Sequence, residues 1–200
     1  MKNFKTLFYT AFTALLAVSC VGDDDTVMPH YEPLLLSEDF NVGADNTLLV
    51  TEGWTNLAQT GTALWKIQVF SDDGYAEFNP FGSTNAVNVG WLISPEISLE
   101  EGNSRNLIFR SSQSFVTNTA NKLEVFISTD FNAASPGTAT WQRLQFTAPP
   151  IPSANYAYVK SGDISLSAYS GNIRIGFKVT GSGTDTTLDG AYQVDDVIIY

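Results

Sequence analysis

The chain predicts an all-β domain, a jelly-roll sandwich of two packed sheets. Three observations carry that expectation. From Leu34 onward, short runs rich in β-branched and aromatic residues alternate apolar with polar positions, and each run is closed by turn residues. Beyond residue 20 no window repeats its apolar positions at helical spacing. Composition agrees: of 200 residues 44% are hydrophobic and 12% aromatic, with 15 Gly and 8 Pro. That balance suits pleated strands and tight turns, and it supplies apolar surface for one sizeable core.

The elements follow in order. MKNFKTLFYTAFTALLAVSC sets Lys2 and Lys5 ahead of an apolar run from Leu7 to Val18 and ends in small residues. This is the layout of a secretory signal, too short for a comfortable membrane span. VGDDD and the residues up to Pro33 lack periodicity and read as an acidic flexible tether. The predicted organisation is a leader over 1–19, a tether over 20–33 and a sandwich over 34–200. LLLSEDF forms the first strand. ALWKIQVF sets Trp65, Ile67 and Val69 on one side and Leu64, Lys66 and Gln68 on the other. SDDG turns the chain into YAEFN, and NVGWLIS halts at Pro95. RNLIFRSSQSF, NKLEVFIST, ATWQRLQFT, YAYVKSGDISL, GNIRIGFKVTG and AYQVDDVIIY complete the set. TGSGTD at 180–185 lacks the Lys and the following helix of a phosphate loop and reads as a hairpin turn. So many short strands bury their hydrophobic faces best as two sheets packed face to face.

Charge and reactive residues exclude several functions. Ten Lys plus Arg stand against 21 Asp plus Glu, a net charge of -11, which repels phosphate backbones and argues against a nucleic-acid partner. Cys20 is the only cysteine, so an intramolecular disulfide and a cysteine zinc site are excluded. His30, the single histidine, falls in the tether, so no Ser-His-Asp or Cys-His arrangement and no two-histidine metal site is expected. Glu52, Glu77, Glu96 and Glu124 leave a glycosidase pair open, although Glu124 alternates outward in its strand. The expectation is a chain that is not an enzyme.

Aromatic residues are the candidates for binding, because their faces stack on sugar rings while amides and carboxylates supply hydrogen bonds. Trp54, Trp65 and Trp91 lie in strand-like apolar contexts and are expected in the core. Tyr75 and Phe81, beside SDDGY and NPFGSTN, and Tyr156 and Tyr158, after APPIPSAN, lie in turn-rich segments and are the ligand-binding candidates.

The last strand poses a separate problem. Strict alternation puts Asp195 on the side of Val197 and Ile199, and Asp196 on the other. An ionised carboxylate against apolar packing costs several kcal/mol unless it is paired or bound to a metal. The nearest basic residue in sequence is Lys178. A hard cation such as calcium then explains the carboxylate, with oxygens from Glu38, Asp39 and Asn41 of the first strand.

Several stretches occur in a telling order: SEDFN at 37–41, EGWTN at 52–56, ALWKI, GWLISPEISL at 90–99, KLEVFISTDF at 122–131, TWQRLQF at 140–146, SGDISLSAYSGNIRIGFKVTG at 161–181 and YQVDDVIIY at 192–200. Over nearly all of 34–200 this series resembles the cleaved-adhesin or choice-of-anchor J family, nearest to a group of surface lipoproteins from outer-membrane-bearing anaerobes. It is similar also to the MAM domain of animal surface proteins. The resemblance implies a jelly roll like that of galactose-binding and other carbohydrate-binding modules, a non-catalytic role in adhesion or glycan binding, and a structural calcium. On that pattern Glu38 and Asp195 match the ion's ligands, and Asn41 stands where the family has Glu. AQTGTA stands before Trp65 where the family carries Asp-Gly-Asp-Gly.

LLAVSC resembles the lipobox of bacterial lipoproteins, with Ala17 where Leu is usual, which implies cleavage before Cys20 and its lipidation. The acidic run after Cys20 resembles the tag that sends lipoproteins to the outer face of the outer membrane. Asp25–Val27 and Asp185–Thr187 resemble a bacterial O-glycosylation acceptor. The expected partners are outer-membrane lipid through Cys20 and either a glycan or a surface protein. The alternative to a glycan-binding adhesin is a structural or protein-interaction subunit of an outer-membrane assembly.

Overall fold

The structure, a computed structural model, describes residues 33–100 and 105–200. The leader, Cys20, His30 and all of the tether but Pro33 lie outside the described residues, as does the first of the two O-glycosylation-like tripeptides. Along the chain the strands are β1 (Leu36–Glu38), β2 (Thr47–Leu48), β3 (Thr55–Thr60), β4 (Trp65–Phe70), β5 (Asp73–Phe78), β6 (Asn88–Ile93) and β7 (Ile97–Leu99). They continue as β8 (Asn106–Ser114), β9 (Lys122–Ser128), β10 (Gln142–Leu144), β11 (Val159–Lys160), β12 (Ile164–Ser165), β13 (Gly171–Gly181) and β14 (Ala191–Ile199). The helical element among the described residues is a single 3-10 turn, Pro136–Thr138.

Two antiparallel sheets form the jelly-roll sandwich that the alternating pattern predicts. One has eight strands in the order β11-β8-β14-β5-β4-β2, with β1 also on β14 and β12 also on β8. The other has six, in the order β10-β9-β13-β6-β3, with β7 also on β13. Their facing sides alternate inward: Trp65, Ile67, Ala76 and Phe78 from β4 and β5 meet Leu92, Val125, Ile175 and Phe177 of the other sheet in one core. The β4–β5 hairpin turns on Ser71 and Asp72, at φ 54° and 66°. Positive φ at both central residues is what a two-residue turn needs to match the strands' twist.

Local patterning misses several features. β2 and β3 are short or polar and show no alternation to read, and β7 alternates over only three residues. The run YAYVKSGDISL divides into β11 and β12 around Gly162, whose φ is 75°. TGSGTD is not a hairpin turn: β13 and β14 belong to different sheets, and the segment between them crosses from one to the other. It is held by Ser182 N–H donating to Leu188 O at 2.8 Å and Gly183 N–H donating to Asn85 O at 2.9 Å.

The last strand departs from simple alternation. Between Asp195 and Ile198 its register on β8 shifts, so that three steps on β14 oppose two on β8, from Arg110 to Ile108. Asp196 takes a left-handed φ of 49° at this β-bulge. Tyr192 and Val194 face the core before the bulge and Val197 and Ile199 after it. Asp195 therefore does not share a side with Val197 and Ile199; the extra residue places it outside with Asp196.

Candidate functional site

The outer side of the eight-stranded sheet carries a continuous polar surface. With Ala76, Phe78, Leu107, Phe109 and Val194 committed to the core, alternation turns Tyr75, Glu77, Arg110, Ser112, Ser114 and Gln193 outward. Gln193 stands opposite Glu77 on one neighbouring strand and Ser112 on the other. Its amide donates to Glu77 Oε2 at 2.9 Å and Ser114 Oγ at 3.1 Å, and its Oε1 accepts from Ser112 Oγ at 2.7 Å. Burial pushes the Glu77 carboxyl up, against the bonds from Gln193 and Asn79 and the charge of Lys66. The network is satisfied and rigid, a floor and not a reacting centre.

Above this floor runs a trough. One part, of 400 Å³, is lined by Asn79, Phe81, Ser114, Phe115, Tyr156 and Asp189. A smaller hollow of 100 Å³ shares Asn79 and Phe81 and reaches Lys66, Gln68 and Glu77. Phe81, Phe115 and Tyr156 are 71%, 67% and 48% exposed, unusual for rings grouped around one concavity. Phe115 and Tyr156 hold left-handed φ values of 59° and 60°, a conformation that bulky residues avoid. Each is fixed by the other's segment. Phe115 N–H donates to Asn155 Oδ1 at 2.8 Å, and Tyr156 N–H donates to Gln113 O at 2.8 Å. Such over-determined backbone collects at binding sites.

The four sequence candidates fall into two pairs. Phe81 and Tyr156 line the trough together. Tyr75 and Tyr158 meet edge to face with centroids 6.3 Å apart, and Tyr158 lies under the Arg110 guanidinium at 5.3 Å. Burial, and then the Glu77 charge, push the Tyr75 hydroxyl up to about 12. Sequence reasoning missed Phe115. It ends a run that reads as strand, and the signal for it is its place directly before a turn-rich stretch.

Arg110 explains the paired aspartates. Its Nη2 lies 2.7 Å from Asp195 Oδ2 and its Nε 2.5 Å from Asp196 Oδ2, with Asp73 at the rim 4.0 Å away. The bulge puts both carboxylates on one side, and β8 delivers the cation from 85 residues away. Burial pushes the Asp195 carboxyl up to about 6, with the Asp196 charge adding to the rise and the Asp196 N–H and Arg110 opposing it.

The expected calcium set of Glu38, Asn41 and Asp195 does not fit a shared ion. β1 does lie beside β14, with Glu38 opposite Val197. Directly paired residues share a face, so Glu38 lies on the core side and Asp195 on the outer side. Glu38 accepts from Phe40 N–H at 2.9 Å and Trp54 Nε1 at 3.0 Å, and Asn41 Oδ1 accepts from Gly74 N–H at 2.5 Å. Asp195 is neutralised by Arg110. Among the described residues no group of three or more His, Cys, Asp or Glu could hold a metal ion.

The tryptophans divide. Trp65 is fully buried in the core and Trp54 packs against it. Trp91 instead lies on the outer side of the six-stranded sheet, against Trp141 and Phe126. Its strand has apolar residues on both sides, and alternation alone does not say which side is the core.

An all-β sandwich with a rigid polar sheet face and aromatic loops around a trough has the architecture of a binding module. Among solved structures the chain is similar to the K3 cleaved adhesin domain of Lys-gingipain from Porphyromonas gingivalis W83, with 20% identity, 84% of this chain and 99% of that one covered, and a TM-score of 0.53. The K1 cleaved adhesin domain of the same protein matches at 17% identity over 82% of this chain and 96% of its own, with a TM-score of 0.51. The K2 cleaved adhesin domain of Lys-gingipain matches at 14% identity over 82% and 97%, with a TM-score of 0.50. These likenesses establish the fold and bear out the expected cleaved-adhesin type of sandwich. No protein-family model and no curated protein matches the chain.

Proposed function

We propose that the chain is a non-catalytic binding module that seats a glycan in the trough over its eight-stranded sheet. One observation carries this reading: Phe81, Phe115 and Tyr156, all exposed, ring a concavity of 400 Å³. Their faces suit the C–H sides of sugar rings, and Asn79, Asp189 and the Glu77 floor suit hydroxyl groups. The two largely buried carboxylates on this face, Glu77 and Asp195, are held by Gln193 and Arg110, which suits binding better than general acid and base work. The adhesin sandwiches it resembles support the same class of function.

The leader, Cys20 and acidic tether support a lipid-anchored position at the outer membrane, with the module facing outward. Among the described residues no helix is long and apolar enough to cross a membrane. Calcium has no part in this reading.

A glycan array on the full chain, followed by calorimetry on the best ligand, tests the proposal. Phe81→Ala and Tyr156→Ala should each weaken binding about tenfold, since the aromatic contact is worth about 0.5–1.5 kcal/mol beyond the area it covers. Their melting temperatures should stay at the wild-type value. An array with no bound glycan and a stable protein partner whose contact survives both substitutions would favour the protein-interaction subunit.

A further inference from the structure

The two sheets differ in charge. The strands of the six-stranded sheet carry Lys122, Arg143, Arg174 and Lys178 against one carboxylate, Glu124. Those of the eight-stranded sheet carry Glu38, Asp73, Glu77, Asp195 and Asp196 against Lys66, Arg110 and Lys160. In a chain of net charge -11, the outer side of the six-stranded sheet is thus a local basic patch. Glu124 is shared by Lys122 at 3.2 Å and Arg143 at 3.6 Å. Among the described residues, no ion pair joins a carboxylate to Lys178 or Arg174, although Glu124, held by Lys122 and Arg143, stands opposite Lys178 across the ladder. Arg174 Nη1 donates to Ser94 O at 2.9 Å, and its Nε has no hydrogen-bond partner.

These two cations flank a row of rings. On β13 the outward positions read Arg174, Gly176, Lys178. A Cβ on Gly176 would come 2.9 Å from Trp91 and 3.0 Å from Trp141, so the glycine is the gap into which both indoles settle. Their centroids are 4.9 Å apart, with Phe131 5.8 Å beyond Trp141 and Phe126 5.2 Å beyond Trp91. The Arg174 guanidinium lies 5.4 Å over Phe131 and the Lys178 ammonium 5.4 Å over Trp91. Beside the row, Trp91, Trp141, Leu57, Gln59, Ile93 and the Pro136 turn enclose a cleft of 260 Å³. Gln59 Oε1 accepts from Trp91 Nε1 at 2.7 Å and fixes that wall.

We infer that this face is a second binding surface, for a uronic-acid saccharide, with the sugar ring against Trp141 in the cleft and its carboxylate on Lys178. The occupant follows from the chemistry. Indole faces take the apolar side of a pyranose, and cations outside any ion pair at the ends of the row take the negative group that a neutral sugar lacks. At physiological salt a charge is screened beyond about 8 Å, so the patch acts locally in spite of the acidic whole. The inference does not rest on the trough, which lies on the other sheet.

The test is calorimetry of the full chain with oligogalacturonate and with its methyl ester, which keeps the ring and removes the charge, in calcium-free buffer. The wild type should bind oligogalacturonate, roughly tenfold or more tighter than the ester, and more weakly as salt rises. Lys178→Gln keeps the part of the stem nearest the backbone and removes the charge, and should lose that preference with its melting temperature unchanged. Trp141→Ala should weaken both ligands. Equal affinity for acid and ester, no binding of the acid, or an undiminished preference for the acid in Lys178→Gln would overturn the inference. So would self-association of the wild type, seen by size-exclusion chromatography and abolished in Lys178→Gln, because the face would then contact another copy of this chain.

Discussion

Arg110→Gln isolates the clamp that closes the last strand. Asp195 has a side chain 2% exposed and loses its ion-pair partner in this variant. Breaking a fully buried pair costs about 3–5 kcal/mol, because it leaves an uncompensated charge. Here Arg110 is 37% and Asp196 45% exposed, so water screens part of the clamp. We expect a loss of about 2–3 kcal/mol near pH 7.5, or roughly 5–10 °C in melting temperature for a domain of this size. The pH dependence is specific. In the wild type the Asp195 carboxyl is raised from 3.8 to about 6, so the folded chain keeps a proton that the unfolded chain has released. That contribution to stability is full below the unfolded value and is lost as pH rises through about 6. Without Arg110 the carboxyl titrates higher still. The penalty of Arg110→Gln therefore grows as pH rises through about 6 and shrinks toward about pH 4.5, where Asp195 is protonated with or without the arginine. Asp195→Asn added to Arg110→Gln should restore most of the loss. Urea denaturation followed by tryptophan fluorescence at both pH values measures all three. A penalty equal at the two pH values, or a double variant no better than the single one, would refute the reasoning. A chelator should leave the wild-type melting temperature in place, and a fall that calcium reverses would show that a metal and not Arg110 neutralises this site.

Other substitutions probe separate parts of the molecule. Gly90→Ala would drive its Cβ into the Phe78 ring and should cost about 1–3 kcal/mol by overpacking, read in the same urea titration. Phe81→Ala and Tyr156→Ala should cost glycan affinity without stability, measured by calorimetry against thermal melts, whereas Lys178→Gln should act only on the charged saccharide. Cys20→Ser should abolish incorporation of labelled fatty acid and move the protein from the membrane to the soluble fraction; retention in the membrane would rule out the lipid anchor.

Much of the molecule is set by local pattern. Alternation in ALWKIQVF puts Trp65 and Ile67 in the core, because two-residue periodicity and the need to bury one face leave no other arrangement. The same pattern marks KLEVFIS and NIRIGFKV as core strands, and SDDG as the turn that follows ALWKIQVF. Composition sets the all-β class, and the short runs set two sheets.

Tertiary structure decided the rest, for one physical reason: a strand's pattern says which residues share a side, not which side is covered or what lies across the ladder. Trp91 has apolar neighbours on both sides of its strand, and only the packing of Leu92 into the core turns it outward. The Asp195–Asp196 pair reads as split between two faces until an unannounced bulge inserts one residue and reunites them. Arg110 is 85 residues distant in sequence and adjacent across the sheet, so a carboxylate that looks solitary, and in want of a metal, is paired. Phe81, Phe115 and Tyr156 come from three connections, and their convergence on one trough belongs to the fold alone.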